Sequence, residues 1–186
     1  FGMIFYEKSP RNITLNEAET LINTSKELRI RPIGVFVDHE INDLKKIISS
    51  LGLKHIQLHG NEDQLYIDEI KRQFDVKIIK KISINNSEDL NIINKFNNIE
   101  YLLFDYKPAN NELPGGNSKS FDWNLLKGQK IKLPWFISGG INETNIKKIQ
   151  NLLNPNGIDL SSGVEVSKGI KSNSKINNLF KKFYDN

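Results

Sequence analysis

No cysteine occurs in the 186 residues. That excludes, within this chain, a disulfide, a thiolate metal site and a thiol nucleophile or base. Histidine is scarce: His39, His55 and His59 form neither an HExxH pattern nor a zinc-ligand spacing, so no metal is expected. No apolar run approaches the ~20 residues of a membrane span, and no signal peptide is visible. A cytoplasmic protein without membrane contact is the expectation. An excess charge of one sign is also missing, since 26 Lys and Arg stand against 22 Asp and Glu. The basic pairs (Lys45-Lys46, Lys80-Lys81, Lys147-Lys148, Lys181-Lys182) are scattered and lack interleaved aromatics, which argues against nucleic acid as a partner. The net charge of +4 leaves room for a mild attraction of an anionic small molecule.

What is present is a strict alternation of strand and helix over residues 1–186, read as one domain. Gly2–Tyr6 is a predicted strand. Thr14 with Glu17 forms a capping box for a helix whose apolar face is Leu15, Ala18, Leu21, Ile22 and Leu28. Ile33–Val37 is a continuous apolar run, as expected of a strand covered on both faces. Ile41, Leu44, Ile47, Ile48 and Leu51 recur at helical spacing before Gly52. Strands follow at His55–Leu58, Val76–Ile84, Tyr101–Phe104, Pro134–Ile137 and Ile158–Leu160. Between and after them come helices around Leu65–Phe74, from a Ser87 cap to Phe96, over Phe121–Leu126 and Asn142–Leu153, and at Ile176–Phe183.

Alternating βα units imply a parallel sheet, either doubly wound or closed into a (β/α)8 barrel. The first strand is not followed by GxGxxG, which weakens a dinucleotide-binding reading. Polar and glycine residues instead cluster after many different strands: Ser9-Pro10-Arg11, His59-Gly60, Asp105, Gly139-Gly140 and Ser161-Ser162-Gly163. That distribution favours the barrel, whose chemistry sits at the C-terminal ends of its strands.

Asp105 ends the apolar run YLLF. Position alone leaves a catalytic acid and a turn residue equally open. Gly115 and Gly116, behind Pro114, lie in a long loop that suits either a water-excluding cover or an ordinary glycine turn. Gly139, Gly140, Ser161, Ser162 and Gly163 follow the last two strands, where barrels often bind phosphate through backbone N–H groups. Glycine admits such an approach without a Cβ clash. Either cluster alone would also serve as a tight turn.

The stretches GMIFYEKSPRNI, IGVFVDHE, IQLHGNED, LLFDYK…LPGG…SFDW, FISGGIN and DLSSGVE occur in this order over the whole chain. Together they resemble the phosphoribosylanthranilate isomerase family of tryptophan biosynthesis. The resemblance implies a (β/α)8 barrel without a cofactor, acting on a small molecule, N-(5′-phosphoribosyl)anthranilate. The implied reaction is an Amadori rearrangement, in which a general acid opens the furanose ring and a general base removes the C2′ proton. It makes Asp105 the general acid, with a pKa expected to be raised. Arg11 matches an arginine near the anthranilate carboxylate, to which a guanidinium fork is suited. His59 matches a histidine near the pocket, and Asp159 a carboxylate near the sugar hydroxyls; strand alternation would put Asp159 and Ser161 on one face. The alternatives are a surface arginine packing beside Pro10 for Arg11 and a buried carboxylate bonded to backbone amides for Asp159; for His59 the chemistry alone leaves a donor to a substrate oxygen and a satisfied rim histidine equally open.

The chain departs from the family pattern in one place. The family opens on a strand bearing Lys-x-Cys-Gly, whose cysteine is the general base, and Phe1 already matches the second strand. The expectation is therefore a barrel lacking its first βα unit, roughly 25–30 residues. Its edges would be unpaired and open to self-association or strand donation. Low activity of these 186 residues alone is also expected. Asp38, at the end of IGVFV, is the only other strand-end carboxylate that could stand in for the base. The alternatives are a non-catalytic phosphate-binding remnant and a related sugar-phosphate barrel isomerase.

Overall fold

The computed structural model describes residues 1–116 and 118–185. Seven strands lie in one sheet in sequence order: β1 (Gly2–Phe5), β2 (Ile33–Phe36), β3 (His55–Leu58), β4 (Lys77–Ile84), β5 (Tyr101–Tyr106), β6 (Trp135–Ile137) and β7 (Gly157–Ile158). The pairs β1/β2, β2/β3, β3/β4, β5/β6 and β6/β7 are parallel. Five α-helices alternate with the strands: α1 (Leu15–Leu28), α2 (Ile41–Leu51), α3 (Gln64–Gln73), α4 (Ile146–Leu152) and α5 (Asn173–Tyr184). Tighter 3-10 segments occupy Ser87–Lys95, Trp123–Leu126 and Ser162–Val164. A small antiparallel pair, β8 (Glu165–Ser167) and β9 (Ile170–Lys171), lies outside the main sheet. The contacts gather into two compact units, residues 1–81 with 94–101 and residues 82–93 with 102–186.

In the first unit, Met3, Phe36, Leu44, Ile56, Leu58, Ile67 and Ile70 form the buried core. Phe5 and Phe36 stack with ring centroids 5.3 Å apart. The capping box forms as expected: Thr14 Oγ1 accepts from the Glu17 N–H at 3.3 Å, and Glu17 accepts from the Thr14 N–H at 2.7 Å. Gly52 closes α2 in the left-handed region at φ 60. The expected face of α1 is corrected. Ala18 and Ser25 are its buried residues, while Leu15, Leu21 and Leu28 are exposed. Ala18 and Ser25 lie two turns apart on one stripe, and Leu15 and Leu21 flank it by about 60°.

The edge of β1 is also less bare than the sequence suggests. The Phe1 carbonyl accepts from the Ile33 N–H on the β2 side, so alternation sends the Ile4 carbonyl to the opposite edge. There it accepts from the Ile13 N–H at 3.0 Å, and the Tyr6 N–H donates to Asn12 Oδ1 at 2.7 Å. The chain's own loop thus straps part of this edge, leaving less backbone for strand donation.

In the second unit, Ile82, Ile84, Leu102, Leu103, Phe104, Ile137, Ile146, Ile149 and Leu179 are buried. The segment read as a helix from Ser87 is a 3-10 helix, and Asn86 caps it: Asn86 Oδ1 accepts from the N–H groups of Glu88 (2.9 Å) and Asp89 (3.3 Å). Both it and Trp123–Leu126 are 3-10 rather than α. β5 runs two residues further than its apolar run, so Asp105 lies inside the strand. β7 stops at Ile158, and Ser161 has left strand geometry at φ −127, ψ −95. The alternation that would put Asp159 and Ser161 on one face therefore does not extend to Ser161. On α5 only Leu179 of the four expected apolar residues is fully buried, and Phe180 is exposed and stacks on Tyr184 at 6.1 Å.

Candidate functional site

The second unit holds Asp105 and all five residues of the expected phosphate site. Asp105 is 7% exposed, and its Oδ1 accepts from the Tyr106 N–H at 2.8 Å. Beside it, β6 ends in a turn held to β5, where the Ser138 N–H donates to the Phe104 carbonyl at 2.8 Å. Gly139 and Gly140 make that turn at φ 90 and 65, in the left-handed region. A Cβ on Gly139 would stand 3.3 Å from Asp105 Oδ1. The glycine turn thus packs directly on the carboxyl.

Both glycines also border the loop that follows Asp105: a Cβ on Gly139 would stand 3.2 Å from the Lys119 carbonyl oxygen, and one on Gly140 3.3 Å from the Ser118 carbonyl oxygen. That loop has internal ties. The Ala109 N–H donates to Glu112 at 3.0 Å, Lys119 pairs with Glu112, and the Lys119 ammonium lies 5.8 Å from the Tyr106 ring centroid. These ties hold the Glu112 carboxyl below its ordinary pKa, the hydrogen bond from Lys119 contributing most. Gly116 takes the left-handed region at φ 71, whereas Gly115 does not. The Gly140 carbonyl accepts two side-chain amides, Asn142 Nδ2 at 3.1 Å and Asn145 Nδ2 at 2.9 Å, which fixes the turn.

Gly140, Ser162 and Gly163 line one cavity of about 350 Å³ together with Ser118, Asn142, Glu143, Thr144 and Lys175. Gly163 admits no side chain, because a Cβ would fall 1.8 Å from the Ile141 carbonyl oxygen. Of the five residues expected at a phosphate, three meet here, while Gly139 turns to Asp105 and the Ser161 carbonyl accepts from Lys171. Asp159 follows β7, half-buried, with its N–H donating to the Ile137 carbonyl at 2.8 Å. Sequence reasoning missed Lys175, Thr144 and the Asn142–Asn145 clamp. The Asn-x-x-Asn after Gly-Gly is a turn signal that would have found the clamp; Lys175 reaches the cavity from a helix remote in sequence.

In the first unit, His59 is 8% exposed and follows β3. Gln57 Nε2 lies 2.9 Å from His59 Nδ1. With the amide nitrogen donating, Nδ1 accepts and a neutral ring carries its proton on Nε2. Arg11 sits half-buried in the turn after β1, where its N–H donates to Ser9 Oγ at 3.1 Å. Asp38 acts as a loop staple: at φ 47 its Oδ1 accepts from the Asn61 N–H at 2.5 Å. Among the described residues no group of three His, Cys, Asp or Glu is arranged to hold a metal, and no helix is long and apolar enough to cross a membrane.

Residues 1–182 match the family model described as N-(5'phosphoribosyl)anthranilate (PRA) isomerase. The N-(5'-phosphoribosyl)anthranilate isomerase of Zymomonas mobilis is 41% identical over 177 residues, covering 94% of this chain and 82% of that protein. The one from Paramagnetospirillum magneticum is 34% identical over 182 residues, covering 97% and 84%. The phosphoribosyl anthranilate isomerase structure from Thermotoga maritima superposes with a TM-score of 0.82 at 29% identity, over 98% of this chain and 86% of that one. A solved family member in complex with reduced 1-(o-carboxyphenylamino)-1-deoxyribulose 5-phosphate gives 0.79 at 28% identity, over 98% and 85%. With this match across almost its whole length, the chain belongs to the N-(5'-phosphoribosyl)anthranilate isomerase family.

Proposed function

We propose that the chain acts on N-(5′-phosphoribosyl)anthranilate in tryptophan biosynthesis, rearranging it to 1-(o-carboxyphenylamino)-1-deoxyribulose 5-phosphate. The observation that carries this reading is the Gly139-Gly140 turn. Its first residue packs on the buried Asp105 carboxyl, and its second lines the cavity shared with Ser162 and Gly163. An acid and an anion cradle joined by one peptide suit a substrate with a reacting ring and a phosphate.

In this reading Asp105 is the general acid that protonates the furanose oxygen, placed where it is buried beside the glycine turn. Gly140, Ser162 and Gly163 receive the phosphate, with Gly139 and Ser161 shaping the turns around it. Lys175 adds a cation, its ammonium donating to the Glu165 carbonyl at 2.6 Å while it lines the cavity. The loop carrying Gly115 and Gly116 covers the acid while the ring opens. Arg11 holds the anthranilate carboxylate, His59 donates from Nε2 to a substrate oxygen, and Asp159 takes the sugar hydroxyls. The seven strands belong, on this reading, to a (β/α)8 barrel; the 85–86% coverage of the solved neighbours supports it.

The base is the open role. Because the family pattern assigns it to a cysteine and these 186 residues contain none, turnover by them alone is inferred to be slow. A second reading, phosphate binding without turnover, draws on the same observation. One assay separates the two. Loss of substrate fluorescence is followed for this chain and for a form extended by a Lys-x-Cys-Gly strand. The isomerase reading expects turnover in the extended form and a kcat about 10²–10⁴-fold lower in its Asp105→Asn variant. An extended form that binds phosphate and never turns over would establish the second reading instead.

A further inference from the structure

A buried ion pair in the first unit has no part in the roles above. The side chains of Glu62 and Lys80 are 1% and 3% exposed, and Lys80 Nζ lies 2.7 Å from Glu62 Oε2. The same ammonium donates to the Gly60 carbonyl at 2.9 Å, and lies 5.8 Å from the Phe96 ring centroid. Glu62 accepts from the Gly60 N–H at 3.0 Å through Oε2 and from the Asp38 N–H at 3.0 Å through Oε1. Residue 60 is therefore held at both of its backbone polar groups by one charged pair. Three successive βα units are tied by it: Asp38 after β2, Gly60 after β3, and Lys80 within β4.

This is a costly way to stabilise a fold. Taking two charges out of water consumes most of what their attraction returns, and well-packed apolar pairs often do as well. A buried charged pair does supply direction, because each remaining lone pair and proton must find its partner. Here the partners are the peptide groups flanking the residue that follows His59. Gly60 completes the fit: a Cβ on it would fall 2.3 Å from Asp38 Oδ1. His59 is fixed on its other side by its own N–H, which donates to the Phe36 carbonyl at 2.8 Å.

We propose that Glu62 and Lys80 are positioning residues that act through His59, holding the Gly60 peptide so that the imidazole meets the substrate in one orientation. The proposal rests on the reading of His59 as a substrate ligand. Reduced 1-(o-carboxyphenylamino)-1-deoxyribulose 5-phosphate is the probe, because its binding requires no turnover. Its Kd is measured on the full chain by calorimetry for the wild type, Lys80→Met, His59→Ala and the double variant. Lys80→Met is expected to weaken binding at least tenfold in the wild-type background and by less than twofold once His59 is alanine. Equal effects in both backgrounds would overturn the proposal, since a merely structural loss is blind to His59. Lys80→Arg keeps the cation and should recover most of the affinity.

Should Lys80→Met not fold, Glu62→Gln, which keeps an acceptor oxygen, replaces it in the same cycle. If the wild type does not bind the probe, the functional reading fails and amide exchange decides the positioning. Gly60 N–H exchange at least tenfold faster in the variant, with Leu103 unchanged, would support the clamp; unchanged Gly60 exchange would refute it.

Discussion

At Asp89 burial and pairing pull in opposite directions. Burial alone would raise its carboxyl, but the hydrogen bond from Lys107 and those from the Asn85 and Asn86 N–H groups outweigh it and hold the pKa below the ordinary value. Lys107 reaches it at 2.6 Å from just beyond β5. The unfolded chain takes up this proton near pH 3.9, about the ordinary value for aspartate, and the folded chain only at lower pH. The pair's contribution is therefore present above about pH 4 and is lost as pH falls through the folded value. Asp89→Asn should give a flatter acid limb when urea midpoints are compared from pH 7 to 3. The same balance of forces explains which residues were legible. Asp105 was visible because an apolar run leads into it. Glu62 and Lys80 were not, since a charged residue in sequence reads as surface until a partner from a neighbouring βα unit is seen beside it.

Among the elements, the ends of α1 and α2 and the face of α2 followed local chemistry, whereas the face of α1 did not. Thr14 and Gly52 cap α1 and α2 as their types dictate. Ser172 does the same for α5, its Oγ accepting from the Lys175 N–H at 3.3 Å. Ser172→Ala should cost ~1 kcal/mol, read as a lower urea midpoint at constant slope. A shift in the probe's affinity as well would tie this cap to Lys175, whose N–H it holds and whose side chain lines the cavity. The leucines of α1 show the limit of periodicity, since a stripe about 60° away from them was the one its neighbours covered. The 3-10 segment at Ser87–Lys95 shows another limit: Asp89 accepts from the Asn85 and Asn86 N–H groups, Asn86 Oδ1 accepts from those of Glu88 and Asp89, and no spacing of Leu90, Ile92 and Ile93 reports that.

For the molecule as a whole, an anion cradle should link binding to stability. If Gly140, Ser162 and Gly163 take a phosphate, inorganic phosphate at ten times its Kd adds about 1.4 kcal/mol. The thermal midpoint should rise with phosphate and much less with chloride at equal ionic strength. Gly163→Ala, which drives a Cβ into the Ile141 carbonyl, should lower the midpoint and abolish the phosphate response. By itself the sequence determined the alternation of strands and helices, the parallel sheet, the caps at Thr14 and Gly52 and the glycine turns, because each depends on residues within a few positions of one another. It also carried the family, through strand-end motifs in a fixed order. Only the tertiary structure decided that Gly139 faces Asp105 while Gly140 faces the cavity, that Asn12 and Ile13 strap β1, and that Glu62 meets Lys80. Those pairings depend on how the folded backbone brings residues together, and chain geometry rather than residue type sets the distance between them.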